Sequence, residues 1–221
     1  MIITIDGPAG SGKSTVAEKV SERLGFEYLK TGIMYRSVAL AGSRAGVDWA
    51  RPEELEEVAR KMELKFDGAR IFINGEDVSS QVESLPVTAI TKYAAENAGV
   101  REILTRKQRE ITKNKNYVTE GRDQGTVVFP EAEVKFFLDA SAEERARRRY
   151  QQKCRQGESA NYDEILRGIL KRDKEDSERE LAPLRAAPDA ISIFSDGMTA
   201  EEVAEQIIHT VIKKYPDLVL R

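Results

Sequence analysis

The strongest chemical signal in the sequence is a glycine-rich segment that directly follows the apolar residues at its start. The segment matches the pattern G-x-x-x-x-G-K-[ST], in which glycines let the backbone aim N–H groups at phosphate oxygens and the following helix presents its positive end. In this pattern Lys13 bridges the β- and γ-phosphates, and Ser14 offers a hydroxyl to Mg²⁺. We therefore predict a site for a nucleoside triphosphate formed by Gly7, Pro8, Ala9, Gly10, Ser11, Gly12, Lys13, Ser14 and Thr15.

Three further segments carry arginine in places that suit a second anion. KTGIMYR (30–36) places an arginine one turn into a predicted helix. EGRDQGT (120–126) follows a predicted strand, so its side chains are expected at the C-terminal edge of the sheet, where ligands bind in open α/β folds. RDKEDSER (172–179) spaces arginine, aspartate and arginine at i, i+4 and i+7 on one helix face. Each segment alone also fits ordinary surface ion pairs, but together they favour an acceptor that is itself phosphorylated.

The elements that must position these segments alternate along the chain. Buried-type strands are predicted at 2–5, 117–119, 134–138 and 191–194, and helices at 14–24, 32–41, 86–113, 141–156, 162–179 and 199–214, with another beginning at 51–54. This alternation predicts a parallel α/β sheet. The segment LKFDGARIFINGEDV (64–78) interrupts it with two hairpin signals, Asp67-Gly68 and Asn74-Gly75. We expect a three-stranded antiparallel meander there, inserted into the core.

Composition limits the class of protein. A chain of 221 residues with 40% hydrophobic content can bury a real core, and its 35 basic and 38 acidic residues nearly cancel. That balance argues against a nucleic-acid binder driven by bulk charge. A single cysteine fits a reducing compartment, and neither a signal peptide nor a run of 18 apolar residues is visible. We expect a cytoplasmic monomer that binds neither membranes nor polymeric nucleic acid.

Five segments, in this order, closely resemble the bacterial cytidylate kinases, which are nucleoside monophosphate kinases of the P-loop group. The segments are DGPAGSGKST, TGIMYR, GRDQGTVVFP, FLDASAEERARRR and RDKEDSERELAPL, and the similarity extends from residue 2 to residue 193. The resemblance implies a P-loop-type parallel sheet flanked by helices, an inserted nucleotide-binding subdomain with the small meander, and a helical lid. The implied reaction is direct in-line transfer of the γ-phosphoryl group of ATP to CMP or dCMP, with Mg²⁺ accompanying ATP.

The same resemblance implies which residues contact the acceptor. The expected set is Thr31, Tyr35, Arg36, Thr91, Arg101, Arg122, Asp123, Arg172, Asp176 and Arg179. Within it, Arg36, Arg122 and Arg179 would hold the acceptor's phosphate, in the fork geometry that suits guanidinium groups.

The other implied contacts concern the sugar and the base. Arg172 and Asp176 would lie at the ribose, whose hydroxyls can donate to a carboxylate. Arg101 and Asp123 would read cytosine, because its N4 amino group suits a carboxylate and its O2 and N3 acceptors suit a guanidinium. Thr91 stands where the family's base-reading serine is expected.

Phosphoryl transfer is expected to depend on positive charge. The candidate catalytic residues are Lys13, Arg122, Arg145, Arg148 and Arg149. The last three lie in the expected lid, and the sequence does not decide which of them reaches the transferring phosphate. Mg²⁺ would be held by Ser14 and, through water, by Glu120.

The resemblance also implies a division of the chain. The expected core comprises 1–31, 100–144 and 180–221, the nucleotide-binding region 32–99 with its β insert at about 64–80, the lid 145–165, and a helix at 162–179 that adds substrate contacts.

Two features depart from the family pattern. Lys30 precedes Thr31 where aspartate is usual, which reverses the local charge, and the stretch from Thr91 to Arg101 is one residue longer. The prediction of base specificity is therefore weaker than that of phosphate binding. Two other functions stay open: a P-loop kinase of another small acceptor, such as UMP or shikimate, and a non-catalytic protein that binds nucleoside triphosphates. The sequence does not decide between CMP and dCMP.

Overall fold

The computed structural model describes residues 1–68 and 70–218, which form two compact units. The first unit joins residues 1–29 to those from 114 onward, and the second comprises Lys30–Lys113. Residue 69 of the predicted meander and residues 219–221 of the predicted core lie outside the described residues. In the described ranges, no helix combines the length and the apolar character that a membrane span requires.

The helices and strands follow the chain in this order. They are β1 (Ile2–Asp6), α1 (Lys13–Leu24), β2 (Glu27–Lys30), α2 (Thr31–Ala45), α3 (Pro52–Lys61), β3 (Leu64–Asp67), β4 (Arg70–Ile73), β5 (Glu76–Asp77), α4 (Ser79–Val82), α5 (Leu85–Glu96), α6 (Ala98–Ile111), β6 (Tyr117–Gly121), a π-helical turn (Gln124–Val128), β7 (Val134–Asp139), α7 (Ala142–Arg155), α8 (Tyr162–Glu178), β8 (Ile191–Phe194) and α9 (Ala200–Lys214).

The first unit is built on a sheet with the strand order β2-β6-β1-β7-β8. Strand β1 lies at its centre and pairs in parallel with β6 and β7, so that Thr4 is opposite both Thr119 and Lys135. Strand β7 pairs in parallel with β8. The predicted α/β fold is confirmed. Strand β2 is not among the predicted strands, because its four residues show neither a long apolar run nor alternation.

Alternation along β1 separates an apolar face of the sheet from a polar one. Ile3 and Ile5 are fully buried in a core that also contains side chains of α1 and α9. Thr4 and Asp6 must then lie on the opposite face, since successive side chains of a strand point to opposite sides. The apolar face stabilises the unit, and the polar face brings a carboxylate to the edge where the phosphate loop begins.

Helices α7 and α8 follow β7 and pack against each other within the first unit. Each begins at a side-chain cap: Ser141 accepts from the N–H of Glu144 at 3.2 Å, and Asn161 accepts from the N–H of Glu164 at 3.1 Å. Such caps satisfy N–H groups that a helix cannot pair internally. The helices predicted at 141–156 and 162–179 are confirmed.

The second unit contains a small antiparallel sheet of the order β3-β4-β5. Asn74 and Gly75, which connect β4 to β5, have φ angles of +51° and +84°. Two successive residues with positive φ are typical of the tight turns that match the twist of a hairpin. The predicted meander is confirmed over the described residues.

The helix predicted over 86–113 is in fact two helices, α5 and α6, which are separated at Asn97. The side chain of Asn97 accepts from the N–H of Val100 at 2.9 Å and donates to the carbonyl of Pro52 at 2.9 Å. The apolar spacing on both sides fits one continuous helix, so periodicity does not reveal the break. The helix ends at Asn97 because its side chain caps α6 and also bonds the carbonyl of Pro52.

Candidate active site

The loop between β1 and α1 has the backbone of a phosphate site. Gly10 and Gly12 have φ angles of +81° and +92°, which glycine adopts without steric cost. Gly12 directly precedes α1 and brings no capping side chain. The first N–H groups of α1 are therefore left for an anion, which the positive end of the helix attracts.

Gly7 fixes the start of this loop against β7. A Cβ atom on Gly7 would lie 2.0 Å from the carbonyl oxygen of Leu138, and its φ is +153°. Because the obstacle is backbone rather than a movable side chain, only glycine fits at this position.

Lys13 is folded into the loop and is 4% exposed. Its Nζ donates to the carbonyl of Pro8 at 2.7 Å. Burial and, after it, the charge of Arg122 lower the pKa of Lys13 to about 7, although Glu120 acts in the opposite direction. The amine is thus close to half-protonated near neutral pH, and an incoming phosphate would favour its charged form.

Ser14 and Glu120 form a pair of oxygen donors beside the loop. The hydroxyl of Ser14 donates to Glu120 Oε1 at 3.1 Å, and Glu120 is 6% exposed at the end of β6. Hydroxyl and carboxylate oxygens are the ligands that Mg²⁺ prefers, so this donor set fits the metal that the sequence predicts. Burial and, after it, the charge of Glu120 raise the pKa of Tyr28, a residue of β2 that no motif indicated.

Asp6 positions the segment after β6, and it is not among the predicted site residues. Its carboxylate accepts the N–H groups of Gln124 at 2.9 Å and of Gly125 at 2.7 Å. Burial raises the pKa of Asp6 to about 6, although these two hydrogen bonds act against the rise. An acidic residue at the end of the strand that enters the phosphate loop was the signal that could have indicated it.

Arg122 and Asp176 form a partly buried ion pair that joins two predicted segments. Arg122 Nε donates to Asp176 Oδ2 at 2.8 Å, and its Nη1 donates to the carbonyl of Gly121 at 3.2 Å. Burial favours the neutral form of Asp176, but the charges of Arg122, Arg172 and Arg179 outweigh it and lower its pKa. Four of the predicted acceptor residues are therefore brought together around one carboxylate.

Asp123 is buried and directly precedes the π-helical turn. Its backbone carbonyl accepts the N–H groups of Val127 at 2.9 Å and Val128 at 3.1 Å. Its charge also contributes to the raised pKa of Asp6. The two carboxyl groups therefore lie near each other.

The predicted lid arginines differ in their surroundings, and Arg145 is the most buried of them, at 4% exposed. Its Nε donates to the carbonyl of Ala140 at 2.9 Å, and its Nη1 donates to the carbonyl of Ala9 at 3.0 Å. Two further hydrogen bonds, of 2.9 and 2.6 Å, connect it to both oxygens of Asp173. Arg145 therefore holds α7 against the phosphate loop and against α8.

Arg148 also anchors α7, whereas Arg149 is exposed. Arg148 donates to Glu144 at 2.8 Å within α7 and to the carbonyl of Ser195 at 2.6 Å. Arg149 donates to Gln152 at 2.8 Å, within its own helix. Of the three lid arginines, Arg149 has the side chain that is most accessible to a ligand.

In the second unit, Tyr35 and Arg101 are in contact. The guanidinium carbon of Arg101 lies 5.6 Å from the centre of the Tyr35 ring, which is a cation–π distance, and its Nη1 donates to the carbonyl of Ala95 at 3.1 Å. Thr31 is buried at the first position of α2. Thr91 donates its hydroxyl to a carbonyl one turn earlier in α5.

The departure at Lys30 is compensated locally. Its Nζ donates to Glu83 Oε1 at 2.6 Å. This hydrogen bond, with a further contribution from Arg36, lowers the pKa of Glu83. The positive charge of Lys30, which replaces the usual aspartate, is thus paired with the carboxylate of Glu83. That carboxylate lies close enough to Arg36 for the guanidinium charge to lower its pKa.

Comparison with known proteins identifies the family of the chain. The family model described as cytidylate kinase matches residues 3–213. The chain belongs to the cytidylate kinase family. It is 46% identical to the cytidylate kinase of Caldanaerobacter subterraneus over 96% of this chain and 94% of that one, and 48% identical to that of Thermosipho africanus over 96% and 95%. A crystal structure of a protein from Thermus thermophilus shares the fold, with a TM-score of 0.53, 20% identity and 97% coverage of both chains.

Membership of the cytidylate kinase family confirms the resemblance seen in the motifs and makes the chain a nucleotide-binding phosphotransferase that uses ATP. The family match does not test the role of any single residue. The assignments of the predicted site residues and of the lid therefore remain predictions.

Proposed function

We propose that the protein transfers the γ-phosphoryl group of ATP to CMP or dCMP, giving ADP and CDP or dCDP. The observation that carries this proposal is the proximity of two anion-binding groups: Arg122, which pairs with Asp176, is close enough to Lys13 to lower its pKa. We take the acceptor from the family, because the relatives named cytidylate kinase match this chain over nearly their whole length.

At the donor side, the loop N–H groups and Lys13 hold the phosphate chain of ATP. Ser14 and Glu120 would hold Mg²⁺, Glu120 through water, and the metal supplies neutralisation of charge on the phosphates when it is bound. Asp6 keeps the segment after Arg122 in place through two backbone hydrogen bonds. These residues bind and orient, and none of them reacts covalently.

At the acceptor side, Arg36, Arg122 and Arg179 hold the phosphate of CMP. One of its oxygens forms a bond to the γ-phosphorus while the bond from that phosphorus to the β–γ bridging oxygen breaks, and ADP leaves with the electron pair. Because the attacking oxygen is already ionised, no side chain must remove a proton. The protein contributes alignment and charge neutralisation.

The base and sugar contacts make the acceptor specific. Asp123 and Arg101 match the amino group and the acceptor atoms of cytosine, and Asp176 and Arg172 lie at the ribose. The contact between Arg101 and Tyr35 supports a reading role, because it fixes the direction of the guanidinium. We place Thr31 and Thr91 in the same pocket on the strength of the family motifs.

The lid is proposed at 145–165, with Arg149 as the cation that reaches the transferring phosphate. Its exposure supports this choice, whereas Arg145 and Arg148 have partners in the core. The division of the described chain near residues 29–30 and 113–114 supports a separate acceptor region at 32–99.

This function requires neither a membrane nor a nucleic-acid polymer, and one copy of the chain supplies every residue named. We therefore propose a monomer. The single cysteine, exposed Cys154, suits a reducing compartment such as the cytoplasm.

An ADP-release assay across acceptors tests the proposal. We expect turnover with CMP and dCMP, little with UMP or AMP, and almost none with shikimate or without an acceptor. Equal rates with and without acceptor would indicate an ATPase and would overturn the proposal. Faster ADP release with UMP or shikimate would indicate a kinase of that other acceptor. No ADP release with any acceptor would indicate a non-catalytic protein that binds nucleoside triphosphates.

A further inference from the structure

A partly buried ion pair between α7 and α8 has no role in the reaction proposed above. Arg145 binds both carboxylate oxygens of Asp173, and the two side chains are 5% and 26% exposed. A two-bonded pair of this kind fixes direction as well as distance, because the planar guanidinium matches the carboxylate only in one orientation.

The arginine of this pair also contacts the donor site. Its Nη1 donates to the carbonyl of Ala9 at 3.0 Å, in the middle of the phosphate loop. Its stem lies against Gly10, since a Cβ atom built there would be 3.5 Å from the Cβ of Arg145. The position of Arg145 is therefore set by the same backbone that must enclose the phosphates of ATP.

The aspartate of the pair lies on the helix that carries acceptor contacts. Asp173 and Asp176 are three residues apart in α8, so they lie on one face of the helix. Asp176 is bound by Arg122 at 2.8 Å. Two arginines thus hold this face of α8 through its two carboxylates. Arg145 also contacts the phosphate loop, and Arg122 is one of the predicted acceptor residues.

We propose that Asp173 is a positioning residue that couples nucleotide binding at the phosphate loop to the acceptor contacts of α8. The inference rests on the proposed function. Phosphates bound in the loop fix the backbone at Ala9, whose carbonyl accepts a hydrogen bond from Arg145. The position of Arg145 is then fixed as well, and its two hydrogen bonds to Asp173 fix the position of α8. Asp176 and Arg179 are then ordered before CMP arrives, so CMP loses less conformational entropy when it binds.

The test is calorimetric titration of CMP into the full-length protein, with and without the magnesium complex of adenosine 5′-(β,γ-imido)triphosphate. In the unaltered protein we expect the ATP analogue to tighten CMP binding about tenfold, within the range of ordinary coupling between sites. In Asp173→Asn, which keeps the size of the side chain but loses its charge, we expect about twofold or less. Circular dichroism establishes that the variant is folded.

Glu175→Gln is the matched control. It removes one negative charge from the same helix, but Glu175 is exposed and its ion pair with Lys171, at 3.9 Å, lies outside the site. This variant should keep the tenfold effect. If Asp173→Asn does not fold, Arg145→Lys decides the question, because lysine keeps the charge but cannot hold Ala9 and both oxygens of Asp173 together. It should also reduce the coupling to about twofold.

Three results would overturn the inference: coupling in the folded variant equal to that of the unaltered protein, no coupling in the unaltered protein, or an equal loss in Glu175→Gln. If the first of these results came with tighter binding of the ATP analogue in Asp173→Asn, Asp173 would only compete with the nucleotide for Arg145. Failure of the proposed function has a different signature, since the unaltered protein would then neither bind nor phosphorylate CMP.

Discussion

At the scale of single residues, the site holds ionisable groups that burial has shifted towards neutrality. Lys13 and Asp6 are both nearly inaccessible to water, and both have pKa values displaced in the direction that burial demands. Binding of a charged ligand changes this balance. We therefore expect ligand binding near these residues to be accompanied by a measurable uptake or release of protons.

Binding of ATP should be accompanied by proton uptake at Lys13. With a pKa of about 7 the amine is mostly neutral at pH 8, and nearby phosphates should raise its pKa and protonate it. We expect uptake of somewhat less than one proton at pH 8, where ATP itself is fully ionised, and a smaller uptake at pH 6. Calorimetry in buffers of different ionisation enthalpy measures this number. A Lys13→Met variant should show no uptake and no turnover; uptake that persisted in it would assign the proton to another group.

Stability should fall with rising pH through the titration of Asp6. Its pKa is raised from 3.8 to about 6, so between about pH 4 and pH 6 the folded protein binds more protons than the unfolded chain. The free energy of unfolding therefore decreases with pH in this window, by about 3 kcal/mol in total for this group. Denaturant unfolding of the unaltered protein and of Asp6→Asn at pH 4 and pH 6.5 measures the difference. Parallel pH profiles for the two proteins would contradict the assignment.

At the scale of elements, the site depends on places where one element touches another through backbone atoms. The start of the phosphate loop rests on β7 at Gly7, and the junction of α5 and α6 rests on Asn97. At Gly7 the neighbouring group is the backbone of Leu138, and at Asn97 one side chain bonds two backbone groups at once. Small substitutions there should have large effects.

Gly7→Ala should abolish ATP binding, because the new methyl group would meet the carbonyl of Leu138 at 2.0 Å and the loop must move away. Isothermal titration with ATP measures the loss. Gly168→Ala in α8 is the control, since a Cβ atom there meets nothing within 4 Å. It should leave ATP binding intact and stabilise the helix by up to about 1 kcal/mol. Normal ATP affinity in Gly7→Ala would show that the loop can adapt.

Asn97→Ala should destabilise the protein by about 1–2 kcal/mol, since it removes the cap of α6 and the hydrogen bond to Pro52. Urea denaturation measures the change. Asn161→Ala is the matched control: it removes a cap from α8 whose hydrogen bond is exposed, and it should cost less. Equal costs would mean that the partly buried hydrogen bond to Pro52 adds nothing.

Local patterns were enough to predict the elements, but not the contacts between them. The phosphate loop, four of the five strands of the main sheet and the meander each follow from a few consecutive residues, and all were predicted. Strand β2 and the break at Asn97 were not, because their signals are short and depend on a tertiary partner. Asp6 and Asp173 were missed for the same reason, since each acts on residues far away in the sequence.

At the scale of the whole molecule, the proposed function assigns one phosphate to arginines that lie far apart in the sequence, Arg36, Arg122 and Arg179. The net charge of the chain is −3, so the arginines must act through local placement and not through bulk attraction.

A double-mutant cycle tests this assignment. Arg36→Ala and Arg122→Ala should each raise the KM for CMP at least tenfold, and the double variant should show less than the product of the two effects, with a coupling of about 1 kcal/mol or more. Arg51→Ala, an exposed arginine of the second unit, should change the KM little alone and behave additively with Arg122→Ala. Strict additivity of Arg36→Ala and Arg122→Ala would mean that the two residues do not share a ligand.

Because Gly7 lies directly against the carbonyl of Leu138, the position of the phosphate loop depends on the packing of β7. Leu138 is fully buried in the core of the first unit, so a cavity made beside it would displace the support of the nucleotide loop along with the strand. Packing defects in β7 should therefore appear as enzymes that lose affinity for ATP well before they unfold. Screens for thermal stability alone would overlook them.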